Sequence, residues 1–148
     1  VGAPERVCGV ARFVAHVPLR WTDQDAYRHV NHARAVTLLE EARIELVFER
    51  ARASGAGTFS TGLLVAGLDV RYKRQIPYRA APLRVAMWVR DVRAASFTIG
   101  YEMHDGPGDA DPVAVTAHTH MALFDLEADR PRRLTAEERA FLGEWTES

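Results

Sequence analysis

Within a dozen residues after Trp21 the chain carries two aspartates, Asp23 and Asp25, and two histidines, His29 and His32, and then an asparagine-led run that starts a helix. The first turn of a helix offers unpaired backbone N–H groups and the positive end of its dipole. These can polarise a carbonyl and hold the oxyanion formed when it is attacked. A carboxylate one loop earlier can deprotonate water or attack directly. The two together are what hydrolysis of an activated ester requires, and Asp23 and Asp25 are the candidate acid groups, each equally able to serve as a turn residue that holds the loop.

The elements that must position these groups follow from spacing. From Gly9 to Trp21, apolar residues at Val10, Phe13, Val14, Val17, Leu19 and Trp21 predict one half-buried strand. Thr22 to Asn31 is polar loop chemistry, and Asn31 is the expected N-cap. From about Ala33 to Ala53 there is no Gly or Pro, and Ala35, Leu38, Leu39, Ala42 and Leu46 recur at helical spacing, so a long helix with one apolar side is expected until Gly55 and Gly57 stop it. Period-2 alternation then predicts four strands between Leu63 and Phe124. The expected faces are Leu64, Ala66, Leu68, Val70 and Tyr72; Leu83, Val85, Met87 and Val89; Phe97, Ile99, Tyr101 and Met103; and Val113, Val115, Ala117, Met121 and Leu123. Thr135 with Glu138 forms a capping box that opens a short terminal helix.

The order strand, long helix, four strands, short helix predicts an α+β domain over residues 1–148, with one sheet face covering one helix. Alternating βαβ units and a G-x-G-x-x-G turn are both missing from the sequence, which argues against a dinucleotide-binding fold. With 19 basic and 20 acidic residues the formal net charge is −1, so no global field favours nucleic acid. Cys8 is the only cysteine, which rules out an intrachain disulfide and a multi-cysteine zinc site and fits a reducing cytoplasm. No apolar run is long enough to predict a membrane span, and Val1 to Phe13 do not read as a secretory signal. His118 and His120 share one strand face, but no third ligand is evident in sequence, so no metal is expected.

The stretch from Asp23 to Arg43 resembles the hotdog thioesterases, of both the hydroxybenzoyl-CoA and the acyl-ACP type. Their pattern D-x-D-x-x-G-H-V-N-N, followed by a helix ending E-E-A-R, is met here by Asp23, Asp25, His29, Val30, Asn31, Glu40, Glu41, Ala42 and Arg43. A weaker likeness continues through Tyr72 to Pro77, Ser96-Phe97 and Arg130 to Leu134. The resemblance implies a hotdog fold, an antiparallel sheet of five or six strands wrapped around one long central helix, and thioester hydrolysis of an acyl-CoA or acyl carrier protein, with no cofactor. Asp25 would be the catalytic carboxylate, His32 the oxyanion donor through its backbone N–H, and His29 a catalytic or positioning group. Asn31, Arg93, Arg132 and Arg133 would contact substrate, with Arg71, Lys73 and Arg74 as alternative phosphate donors. It further implies a homodimer or dimer of dimers, with Asp25 from one chain meeting Val65 to Leu68 of the other. Two departures stand out: Arg28 replaces the glycine before His29, at a turn where positive φ would favour glycine, and His32 replaces the second asparagine. The rival functions are a hotdog hydratase or dehydratase and a non-catalytic acyl-CoA binding domain.

Overall fold

The computed structural model describes residues 3–7 and 10–147. Cys8 and the expected strand start at Gly9 lie outside them. An antiparallel sheet of seven strands is laid out in the order β1 (Ala3–Val7), β2 (Val10–Val17), β4 (Leu83–Arg90), β5 (Ser96–His104), β6 (Val113–Asp125) and β3 (Leu63–Tyr72). The two-residue β7 (Arg130–Pro131) pairs β6 off this path. β1 and β7 are the additions to the expected five strands. The concave face covers α1 (His32–Ile44), which continues through a π-helical turn, Glu45–Arg50, into the short α2 (Ala51–Ala53). The expected helix from 33 to 53 is therefore one continuous helical rod, although its middle is wound more loosely than periodicity alone reveals.

The first strand stops earlier than its apolar pattern suggests. Pro18 lacks an N–H for the ladder, and Asp23 draws the chain into a 3₁₀ turn, Trp21–Asp23, by accepting the Arg20 N–H at 2.7 Å. Trp21 is left 71% exposed rather than ending a buried strand.

Apolar alternation on β4, β5 and β6 holds, and Leu83, Val85, Met87, Phe97, Ile99, Tyr101, Met103, Val115 and Met121 are buried against Leu38, Leu39, Ala42 and Leu46 of the helix. The terminal helix α3 (Ala136–Glu144) closes one end, with Phe141 edge-on to Phe59 and Trp145 edge-on to Phe13. On β3 the expected face is corrected. A β-bulge between Val65 and Gly67 inserts one residue, so Val65 pairs Met121 and Leu68 pairs Thr119, both inward-facing partners, while Leu64 pairs Ala122 on the other side. β3 is also an edge strand, and it leaves Leu64, Val65, Leu68 and Tyr72 exposed. Among the described residues no helix is long and apolar enough to cross a membrane.

Candidate active site

The loop after the 3₁₀ turn folds back on itself. Asp25 accepts the Arg28 N–H through its carbonyl at 2.9 Å and donates its own N–H to the His29 carbonyl at 3.1 Å, while Gln24 and Val30 form a bridge. This is a tight reversal whose last corner must be left-handed, and Arg28 sits there at φ 64°. The glycine-less turn thus keeps its geometry, at a cost of about 1–2 kcal/mol for holding a residue with a Cβ in that region. The loop is pinned at both sides: Val30 donates to the Ile76 carbonyl at 2.8 Å, and Asn31 donates to the Asp23 carbonyl at 2.9 Å. Asp23 is 1% exposed, and its carboxylate serves Arg20, a structural role.

Asn31 joins the loop to the helix. Its Oδ1 accepts the Ala33 N–H at 2.9 Å, capping α1, and its Nδ2 donates to Asp25 Oδ2 at 3.0 Å. The Tyr27 N–H occupies Asp25 Oδ1 at 2.9 Å. The Asn31 donor, then the Tyr27 amide, hold the Asp25 carboxyl below its ordinary range, with a smaller contribution from His29. Asp25 is therefore an ionised carboxylate at neutral pH, fixed relative to the helix tip by one side chain. Because Asn31 takes the Ala33 N–H, and among the described residues no acceptor pairs with the His32 N–H, the amide at the first helical position stays free for a ligand.

Asp25, His29, His32, Tyr72, Lys73 and Arg74 line one cleft of about 340 Å³, backed by Val30, Ile76 and Val115. Tyr72 ties the helix start to the end of β3: its hydroxyl donates to the His32 carbonyl at 2.8 Å, and its ring meets the His32 ring edge-on at 6.3 Å. Partial burial raises the Tyr72 pKa, which keeps the hydroxyl a donor. His29 Nδ1 is buried with no partner among the described residues. The exposed His32 side chain is one wall of the cleft.

The structure thus brings together Asp25, His29, Asn31 and His32, and it separates them from the other expected contacts. Arg93 is exposed and uses its backbone, donating to the Ser96 carbonyl and accepting from Arg139. Arg132 and Arg133 line a different groove, beside Ala95, Asp125 and Arg130, which shares no residue with the Asp25 cleft. The Arg132 guanidinium is already held by both oxygens of Glu138, at 2.7 and 2.9 Å, and by the Thr58 carbonyl. A phosphate there would have to compete with a buried ion pair. Of the alternative donors, Lys73 and Arg74 line the cleft, whereas Arg71 does not and lies against Asp69 at 3.3 Å. Sequence reasoning overlooked Tyr72 as a site residue. Its placement just before the Ile-Pro turn was the available signal, but its bond to His32 spans 40 positions. Among the described residues no group of three or more His, Cys, Asp or Glu side chains is placed to hold a metal.

A sheet wrapped on one helix, with a carboxylate tethered beside an open helix tip, defines the hotdog class of thioester hydrolases. The family model of the thioesterase-like superfamily matches residues 19–144, and the chain belongs to that superfamily. No curated protein matches it in sequence. Among solved structures it is similar to a predicted thioesterase from Bacillus stearothermophilus, at TM-score 0.79 and 20% identity, over 93% of this chain and 98% of that one. It is also similar to a thioesterase complexed with coenzyme A and Zn from Thermus thermophilus, at TM-score 0.69 and 23% identity, over 87% and 95%. A third is a 1,4-dihydroxy-2-naphthoyl-CoA thioesterase from Synechocystis, at TM-score 0.74 and 16% identity, over 89% and 96%. At these identities the likeness is one of fold.

Proposed function

We propose that this thioesterase hydrolyses an acyl-CoA, with Asp25 as general base. The observation that carries the reading is the Asn31 side chain, which caps α1 and grips Asp25 at once, so that base and helix-tip donor are held across one cleft. Asp25 removes a proton from water, and the resulting hydroxide attacks the thioester carbonyl carbon. The His32 N–H stabilises the oxyanion. Collapse breaks the carbon–sulfur bond, and the departing thiolate takes up a proton, for which the His29 ring, on the same cleft with a partnerless Nδ1, is a candidate donor. Lys73 and Arg74 at the cleft rim suit the phosphates of the CoA end.

The exposed edge of β3 supports a homodimer. An edge strand that exposes Leu64, Val65 and Leu68 invites pairing with a second copy, which would bring the partner's edge to the cleft. A thiol-release assay over short, long and aromatic acyl-CoAs, run beside Asp25→Asn, tests the activity. Hydrolysis lost in the variant supports the reading, and hydrolysis indifferent to the variant ends it. Single turnover in ¹⁸O-water separates the routes: label entering the Asp25 carboxylate would replace the general base with an anhydride.

A further inference from the structure

A second cavity, of about 240 Å³, lies between α1 and the β3–β6 pair, the elements that also supply Ala35, Tyr72 and Val115 to the Asp25 cleft. The Asp25 cleft is lined at the Tyr72–Val115 level of that pair and the second cavity at the Leu68–Thr119 level, four residues on and about 13 Å along the strands. Its walls are apolar, formed by Val36, Leu39, Val65 and Leu68. The β3 bulge is what turns both Val65 and Leu68 inward. The remaining lining is polar: Thr119, Arg43 and Glu40.

These polar groups form a hydrogen-bonded chain. A guanidinium can only donate, so the Tyr101 hydroxyl oxygen accepts from Arg43 Nη1 at 3.4 Å. The Tyr101 and Thr119 hydroxyls share a 2.7 Å bond in which either can donate, and an acceptor in the slot would select the arrangement in which Tyr101 donates and Thr119 turns its own hydrogen outward. Burial raises the Tyr101 pKa, although Arg43 and Thr119 pull the other way, so that proton is retained at neutral pH. In that arrangement Thr119, itself 1% exposed, has a hydroxyl hydrogen that no other acceptor takes among the described residues. Arg43 is also poorly served: it is 9% exposed, and its two side-chain contacts, to Tyr101 and Glu40, are both 3.4 Å, beyond the usual 2.9–3.0 Å of such bonds. A greasy slot thus ends in a hydroxyl that can turn its hydrogen toward a ligand, which is the complement of an oxygen on an otherwise apolar chain.

We propose that this slot receives the far end of the acyl group and that Thr119, oriented by Tyr101 and Arg43, donates to a neutral oxygen on it, selecting hydroxyacyl or oxoacyl thioesters over unsubstituted ones. A neutral oxygen fits better than a carboxylate because Glu40 already offsets the Arg43 charge and would repel a second anion. The inference rests on the thioesterase reading above. Tyr101 and Arg43 are positioning residues, acting through Thr119.

The test compares kcat/KM for medium-chain acyl-CoAs of matched length, about eight to twelve carbons to span the slot, bearing a terminal hydroxyl, a terminal carboxylate or neither. The wild type is expected to favour the hydroxyacyl chain over the plain one by about tenfold. Thr119→Val should erase most of that ratio, Thr119→Ser should keep it, and Tyr101→Phe should reduce it. A purely structural role would lower both substrates together. A wild-type ratio near one, an equal loss on both chains in Thr119→Val, or a preference for the carboxylate would each overturn the assignment while leaving the thioesterase reading in place. Failure of the wild type to cleave any acyl thioester would overturn that reading and this one with it.

Discussion

Asp25 and Glu138 are both carboxylates held below their ordinary pKa, and both sit at the start of a helix, yet they do opposite things. For Glu138, burial pushes the pKa up, and the Arg132 hydrogen bonds, with the Thr135 amide, more than reverse it. Its two oxygens are filled by Arg132 and by the cap of α3, and it is 0% exposed. For Asp25 the donors are a neutral amide side chain and a backbone N–H, and its carboxylate faces a cleft rather than a cation. A carboxylate closed by a guanidinium stabilises the fold, whereas one steadied by neutral donors keeps its charge for a ligand. The same contrast holds for the basic residues: Arg132 is occupied by Glu138, while Lys73 and Arg74 stand at an open rim.

Breaking the comparison at the open end should give the largest effect. Asp25→Asn is expected to lower kcat by about 10²–10⁴-fold while the urea midpoint stays near that of the wild type, measured on one preparation by thiol release and by circular dichroism. At the closed end the effects should invert. Glu138→Ala leaves the Arg132 charge without its partner and uncaps α3, so about 3–5 kcal/mol of stability should go, read by urea unfolding, while kcat of the folded fraction holds. The pH dependence carries the same distinction. Because the folded pKa of Glu138 is depressed, its contribution is full above the unfolded value near 4.5 and is lost as pH falls through the lower folded value. The acid limb of the stability profile below about pH 4.5 should therefore flatten in the variant.

Smaller changes sharpen the picture. Asn31→Ala removes the strongest influence lowering the Asp25 pKa, so that pKa should rise toward its ordinary value and the acid limb of kcat/KM should move to higher pH. The lost cap should cost about 1 kcal/mol as well. A pH–rate profile beside a denaturation curve separates the two consequences, and an unmoved acid limb would detach Asn31 from the chemistry. Arg28→Gly should have the smallest effect, a gain of up to about 1 kcal/mol from relief of the left-handed corner, seen as a raised melting temperature with kcat/KM little changed.

Much of this was legible from local pattern. The faces of β4, β5 and β6 follow from strict alternation, and the caps at Asn31 and Thr135 follow from side chains that reach only two or three residues onward. Asp25 was singled out by its place in a family-like pattern, and that pattern is itself a short stretch of local sequence. The same locality explains the failures. Alternation on β3 could not show the bulge, because an inserted residue is visible only against the partner strand. Trp21 fitted an apolar period yet ended exposed, because Pro18 and Asp23 redirected the chain first.

The sequence by itself determined the long helix, the faces of β4, β5 and β6, and the two acids that stand before the helix, since each depends on neighbours a few residues away. Only the tertiary structure decided which arginines are already paired, that Tyr72 would clasp the helix tip, and that Arg43, Tyr101 and Thr119 would line up toward a cavity. Those choices depend on groups brought together from 18 to 58 positions apart, and the identity of a charge's partner is a property of the packed chain rather than of its order.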